Sequence, residues 1–171
     1  SYLNGYGINS PIKYVDHHLS HAASGYYTSK FADATIICID SIGEFETLTV
    51  WHGEGSNLKK KYAQRYPHSV GLWYSAMTQR IGLKPQEDEY ILMGMAAYGD
   101  PDRLYQRIYN DFIDVTGRPV TFKDNLHRGC MDWMPELQSE QDYFDIAAAT
   151  QKVYVELLNQ ILSWAASQGW S

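Results

Sequence analysis

His17 and His21 are four residues apart. On a helix that spacing places two imidazoles on one face about one turn apart, where a single metal ion can bridge them. Two neutral imidazoles leave an ion short of ligands, and Asp40, at the end of the next apolar run, is the best-placed carboxylate to complete the set. His18 points about 100° away around the same helix and is free to act as acid, base or hydrogen-bond donor. The same cluster also reads as the solvated start of a capped helix, because the catalytic Glu of the zinc-protease H-E-x-x-H pattern is missing. Asp40-Ser41-Ile42-Gly43-Glu44 is a second candidate, a strand-turn-strand segment that can aim N–H groups at a phosphate or acyl oxygen while the Asp holds a cation. An ordinary acidic hairpin is the alternative reading of it.

Other polar residues carry weaker signals. Glu87-Asp88-Glu89 reads as a charge cluster at a helix start. Met93-Gly94-Met95-Ala96-Ala97-Tyr98-Gly99 is small and Gly-flanked, suited to close approach by a ligand or helix, or to core packing by its methionines. His52, His68 and His127 have no partner at an informative spacing. Cys38 lies inside an Ile-rich run and reads as a buried hydrophobe; with Cys130 it makes neither a disulfide framework nor a C-x-x-C pair.

The elements that must position these residues follow from periodicity. Residues up to Pro11 read as loop, Lys13 to Asp16 as a short strand, and His17 to Ser24 as a helix ending at Gly25. A strand running straight into a helix is where ligands bind in open α/β sheets. Ala34 to Asp40 is a buried strand, Ser41 to Glu44 a turn, Thr47 to Trp51 a returning strand and Leu58 to Tyr66 a third. Helical stripes follow from Ser69 to Ile81 with Gly82 as cap, from Glu87 to Tyr98, and after Asp100-Pro101 through Leu104, Ile108, Phe112 and Ile113. Residues 118–135 are least legible, with a short strand at Pro119 to Phe122. A long helix then starts at Ser139, its stripe formed by Ile146, Val153, Leu157, Leu158, Ile161, Leu162 and Ala165.

Composition frames these elements. The 171 residues are 44% hydrophobic and 20% charged, with a net charge of -6 and 14 Tyr and 5 Trp, which excludes a disordered or fibrous chain. There is no apolar run of about 20 residues and no charged-then-apolar leader, so a cytoplasmic protein with no membrane partner is expected. Acidic balance argues against nucleic acid as a partner, and Lys59-Lys60-Lys61 is too short to reverse it.

Four motifs, in order, closely resemble those of the nodulation-factor and antibiotic-tailoring O-carbamoyltransferases. They are Val15-Asp16-His17-His18-Leu19-Ser20-His21-Ala22-Ala23-Ser24, Asp40-Ser41-Ile42-Gly43-Glu44, Tyr66-Pro67-His68-Ser69-Val70-Gly71-Leu72-Trp73-Tyr74-Ser75, and Glu89-Tyr90-Ile91-Leu92-Met93-Gly94-Met95-Ala96-Ala97-Tyr98-Gly99. The resemblance implies an α/β fold, part of an actin, Hsp70 and sugar-kinase-like (ribonuclease H-like) domain with a mixed sheet and flanking helices. That domain is related to tRNA threonylcarbamoyl-transfer proteins. The resemblance also implies that His17, His21 and Asp40 bind a divalent metal, iron foremost, and that His18 is a general base or stabilises charge on the carbamoyl oxygen. Asp40, Ser41, Gly43 and Glu44 would line the nucleotide site. The donor would be carbamoyl adenylate, made from carbamoyl phosphate and ATP in a YrdC-like domain, and the acceptor a hydroxyl-bearing small molecule.

Departures from the pattern are Ser41, where a Gly is usual, and Ile91, where a Lys is common. The family's opening phosphate hairpin, its later Gly-rich nucleotide segment and the YrdC-like domain have no counterpart here. Residues 1–171 are therefore expected to be a single incomplete domain, the middle part of the carbamoyl-transfer domain, inactive alone and with apolar surface free for self-association. Two other readings compete: a small-molecule kinase of the same superfamily, which the histidines argue against, and a non-catalytic interaction module.

Overall fold

The computed structural model describes residues 2–8 and 10–170, with the backbone alone at residues 3 and 4. Ser1, Asn9 and Ser171, at the ends and within the expected N-terminal loop, lie outside the described residues. Helix α1 (His17–Tyr27) leads into strands β1 (Asp33–Gly43), β2 (Glu46–Glu54) and β3 (Asn57–Arg65). Helices α2 (Val70–Arg80), α3 (Glu89–Met95) and α4 (Pro101–Phe112) follow. Strands β4 (Ile113–Asp114) and β5 (Thr121–Phe122) precede α5 (Glu140–Ser167). The architecture is mixed α/β, but each sheet is antiparallel throughout the described residues: β1-β2-β3 is a meander and β4-β5 a short pair.

The meander is covered on both faces, as the alternation of strand side chains requires. Ala22 of α1 packs with Cys38 and Trp51 on one face, while Ile37, Leu48 and Tyr62 join the main core on the other. That core is built by α2, α4 and α5 around Trp73, Met77, Ile108, Ile146, Val153 and Leu157, each fully or almost fully buried. On α5 the expected stripe is buried at Ile146, Val153, Leu157, Ile161 and Ala165, whereas Leu162 is 55% exposed. The helix begins with a capping box, in which Ser139 Oγ accepts from the Asp142 N–H and the Asp142 carboxylate accepts from the Ser139 N–H.

Several expected elements differ. No strand forms at residues 13–16; Tyr14 and Val15 are exposed and have no neighbouring strand to pair with among the described residues. The helix does not stop at Gly25 but continues to Tyr27, because Tyr26 is buried and its hydroxyl donates to the Ala32 carbonyl at 2.8 Å. Residues 2–6, expected as loop, form a 3-10 turn. Residues 41–43 are strand rather than turn, and the reversal falls at Glu44-Phe45, where Glu44 takes a left-handed φ of 62°.

Two buried charges fasten parts whose contacts periodicity does not show. The Arg80 guanidinium, 4% exposed, donates to the carbonyls of Trp133, Met134 and Leu137 at 2.6, 2.6 and 3.0 Å, and so fastens the irregular stretch before α5. The Asp145 carboxylate accepts from the Asp100 N–H, Gln141 and Arg103, joining α4 to α5. Beside it Gly99 is indispensable, because a Cβ there would stand 2.0 Å from the Phe144 carbonyl oxygen. Gly94, singled out with it by sequence, faces open space.

Gly99→Ala is expected to cost about 3 kcal/mol or more, since the obstruction is helix backbone that cannot rotate away; urea denaturation against wild type measures it. Acid should weaken the same joint. Hydrogen bonds from Ser139 and Arg103 hold Asp142 down to about 2, and those from Arg103, Asp100 and Gln141 outweigh burial to lower Asp145. Carboxylates with depressed values stabilise the fold above the unfolded value of ~3.9 and lose that contribution as pH falls toward the native one. Arg103→Ala should therefore reduce stability at neutral pH and flatten its decline between about pH 4 and pH 2.

Candidate metal centre

Asp16 fixes where α1 begins: its carboxylate accepts from the Leu19 N–H at 2.7 Å, so the helix opens at His17. His18, Ala22 and Tyr26 then form the buried face that lies along β1 and β2. His17 and His21 occupy the adjacent face, with side chains 42% and 57% exposed. Because Tyr26 reaches the start of β1 and His18 reaches its far end, α1 runs antiparallel to β1 and brings His17 to Asp40.

Asp40 is presented by an irregularity in the ladder. From Ile39 to Gly43 β1 advances four residues, while its partner advances two, from Leu48 to Glu46, leaving two extra residues in β1. Such a bulge turns side chains out of the regular alternation and frees carbonyls from the sheet. Ser69, the N-cap of α2, takes those carbonyls: its hydroxyl donates to Ser41 O at 2.7 Å with Asp40 O at 3.1 Å, while accepting from the Leu72 N–H. Gly71 permits the approach, since a Cβ there would lie 2.7 to 2.8 Å from Ser41 atoms.

Three ligand atoms converge at this point. His17 Nε2 lies 2.7 Å from Asp40 Oδ2 and 3.0 Å from His21 Nε2, and His21 Nε2 is 3.7 Å from the same carboxylate oxygen. Those separations suit donors sharing one ion at about 2.1 Å each. The donor chemistry fits as well: one N–H on His17 would have to serve both a carboxylate and a second imidazole lone pair, whereas a cation satisfies all three. Two imidazoles and a carboxylate on one side, with the other side open, match a first-row divalent metal such as iron(II). Burial alone would raise the Asp40 carboxyl, but hydrogen bonds from His17 and the Ser41 N–H, with the nearby imidazoles, hold it below the usual carboxylate range.

His18 does not share this open face. It is 1% exposed, and both ring nitrogens are engaged, Nε2 with the Glu46 carbonyl at 3.0 Å and Nδ1 with Thr49 Oγ1 at 2.9 Å. A carbonyl only accepts, so Nε2 carries the proton; Nδ1 then accepts from Thr49, whose oxygen accepts in turn from the Trp51 indole at 2.8 Å. No ring nitrogen is left for a substrate proton, and His18 is a brace between α1 and β2. The cause is the 100° offset that sequence identified, which turns His18 into the sheet.

The four residues expected at the nucleotide do not line one surface. Asp40 and Ser41 border a cleft of ≈690 Å³ with Tyr74, Ser75, Glu89, Gln151 and Tyr154. Gly43 and Glu44 border a separate depression with Asp16, Glu46 and Arg65. Gly43 lies beneath the histidines, where a Cβ would be 2.6 Å from both His17 Cδ2 and His18 Nε2. Sequence missed the far wall of the cleft. Glu89 is no generic helix-start charge; its Oε1 accepts from Ser75 Oγ at 2.5 Å and the Gln86 N–H at 2.6 Å. Gln151 and Tyr154 gave only the signal of two polar residues one turn apart beside the α5 stripe.

Residues 7–163 match the family model described as carbamoyltransferase N-terminus. The chain belongs to that family. This carbamoyltransferase N-terminal segment is 34% identical over 173 residues to an uncharacterized protein of Synechocystis, covering 88% of the chain and 28% of that protein. It is 28% identical over 164 residues to the nodulation protein NolNO of Sinorhizobium fredii, covering 90% of the chain and 23% of NolNO. Nodulation protein NolO of Bradyrhizobium diazoefficiens is 32% identical over 101 residues, 59% of the chain and 18% of NolO. The chain thus spans about a quarter of the length of the first two relatives. No described helix is long and apolar enough to cross a membrane.

Gly43→Ala should displace His17 and His18 and lower the affinity for iron(II) or zinc by about tenfold or more. Gly25→Ala, at an open position of the same helix, should leave affinity unchanged and raise stability by about 0.5 kcal/mol. Calorimetric metal titration of both variants reads the contrast.

Proposed function

We propose that this chain is the metal-binding part of an ATP-dependent O-carbamoyltransferase, passing a carbamoyl group from carbamoyl adenylate to a substrate hydroxyl. The convergence of His17 and His21 on Asp40, which also lines a cleft, in a carbamoyltransferase-family chain, carries this reading. The three residues would hold a divalent metal, iron foremost, whose chemistry when bound is to polarise a carbonyl or phosphoryl oxygen and orient it. The chain's own residues define the rest. Asp40 is shared by the candidate metal centre and the cleft, so a donor held there would meet an acceptor from the cleft side. His18, Thr49 and Gly43 position α1 so that both imidazoles face Asp40. Formation of carbamoyl adenylate from carbamoyl phosphate and ATP is assigned to other parts of the longer protein, as is most of the nucleotide contact.

Metal analysis of the purified chain against the double variant His17→Ala, His21→Ala tests the centre. About one equivalent of divalent metal is expected in wild type, with loss of at least about 90% in the variant. Equal metal in both would overturn the assignment. The chain supplied with metal, ATP, carbamoyl phosphate and an alcohol acceptor is expected to transfer no carbamoyl group, and turnover would refute the division of labour.

A further inference from the structure

The run Lys59-Lys60-Lys61 has one member that the sheet turns away from its neighbours. Val50 pairs with Tyr62 and Trp51 with Lys60, so β3 advances two residues where β2 advances one, and Lys61 is the extra residue. Because strand side chains alternate, one extra residue reverses the faces on either side of it. Tyr62 therefore joins the main core, whereas Lys60 turns to the α1 face, where Trp51 and Leu58 pack with Ala22. Lys59 stays exposed.

Three groups converge on the Lys60 ammonium. It donates to both oxygens of the Glu46 carboxylate, at 2.7 and 3.0 Å, stands 4.9 Å from the centre of the Trp51 ring and lies 3.8 Å from Asp16 Oδ2. Each of these partners also holds the first turn of α1. The Asp16 carboxylate caps the helix at the Leu19 N–H, and the Glu46 carbonyl accepts from His18 Nε2. The Trp51 indole donates to Thr49, which donates to His18 Nδ1. A lone exposed ion pair fixes little, because both side chains stay free to rotate. Here the Lys60 and Glu46 side chains are 30% and 15% exposed, and three partners define where the ammonium sits. Removing it would leave two like charges, Asp16 and Glu46, facing each other at the opening of α1.

We propose that Lys60 is a positioning residue for the metal centre: by joining Glu46, Trp51 and Asp16 it sets the first turn of α1, and so the placement of His17 and His21 against Asp40. It acts through the helix and touches none of the three ligand side chains. Its consequence for metal rests on the metal-centre reading, while its hold on α1 stands on the contacts within the sheet.

Three variants test this. Lys60→Met keeps the stem over Trp51 and removes the charge and the donors, Lys60→Arg keeps charge and donors, and Lys59→Met changes the exposed neighbour. In metal-free chain, amide hydrogen exchange at Leu19 to Ala22 is expected to quicken about fivefold or more in Lys60→Met, with Ile146 and Val153 in α5 changing less than about twofold. Zinc affinity, by calorimetric titration, is expected to fall about fivefold or more in Lys60→Met and to stay within about twofold of wild type in the other two. Unchanged exchange at α1 would overturn the proposal, and so would an equal rise in α5, which is what general destabilisation produces. Unaltered zinc affinity in Lys60→Met would also overturn it, as would an equally deep loss in Lys59→Met or Lys60→Arg. If wild type binds no zinc, the metal-centre reading falls, and the exchange measurement still decides whether Lys60 holds α1.

Discussion

The candidate metal centre depends on how closely two helices can approach the last residues of β1. The bulge between Ile39 and Gly43 swings Asp40 out of the regular alternation. It would be costly if its freed carbonyls stayed unpaired in a buried place. Ser69 removes that cost from the α2 side, and Gly71 lets its helix come near enough to do so. On the α1 side Gly43 gives the same clearance to His17 and His18. Three ligand atoms meet because two glycines and one serine permit it.

The polar interior supports that meeting at a distance. His18, Thr49 and Trp51 form a chain of hydrogen bonds in which every donor has an acceptor, and such a chain fixes the rotation of α1 about its axis. A helix rotated by one residue would take His17 and His21 away from Asp40. Arg80 and Asp145 do comparable work farther out: one satisfies three carbonyls of an irregular segment, and the other ties the start of α4 to α5. They keep α2 and α5 in register, and those helices supply Tyr74, Ser75, Gln151 and Tyr154 to the cleft.

The charge of the site is divided between its two sides. The imidazoles face Asp40 from α1, and the cleft beyond Asp40 contains carboxylates, amides and phenols with no cationic side chain. One carboxylate, Asp40, therefore belongs both to the group of converging ligand atoms and to the lining of the cleft.

The three side chains whose ligand atoms converge, and most of the elements, were legible in the sequence alone. The His17 and His21 spacing, the Ile-rich run ending at Asp40 and the stripe of α5 are local patterns, set by helix and strand periods. The sequence also marked Gly43 for a nucleotide-facing turn and Gly99 for close approach by a ligand or helix, whereas the atoms that crowd them are the His17 and His18 rings and the Phe144 carbonyl of α5. Tertiary structure decided the direction in which each side chain acts. His18 was legible as a histidine off the ligand face, but whether that face met solvent or sheet depended on where α1 docks. Likewise Gly43 and Glu44, adjacent to Asp40 in sequence, separated from it because a bulge and a turn send them to another surface. Glu89 and Gln151 came together across 62 residues of chain, and periodicity carries no information about contacts at that range.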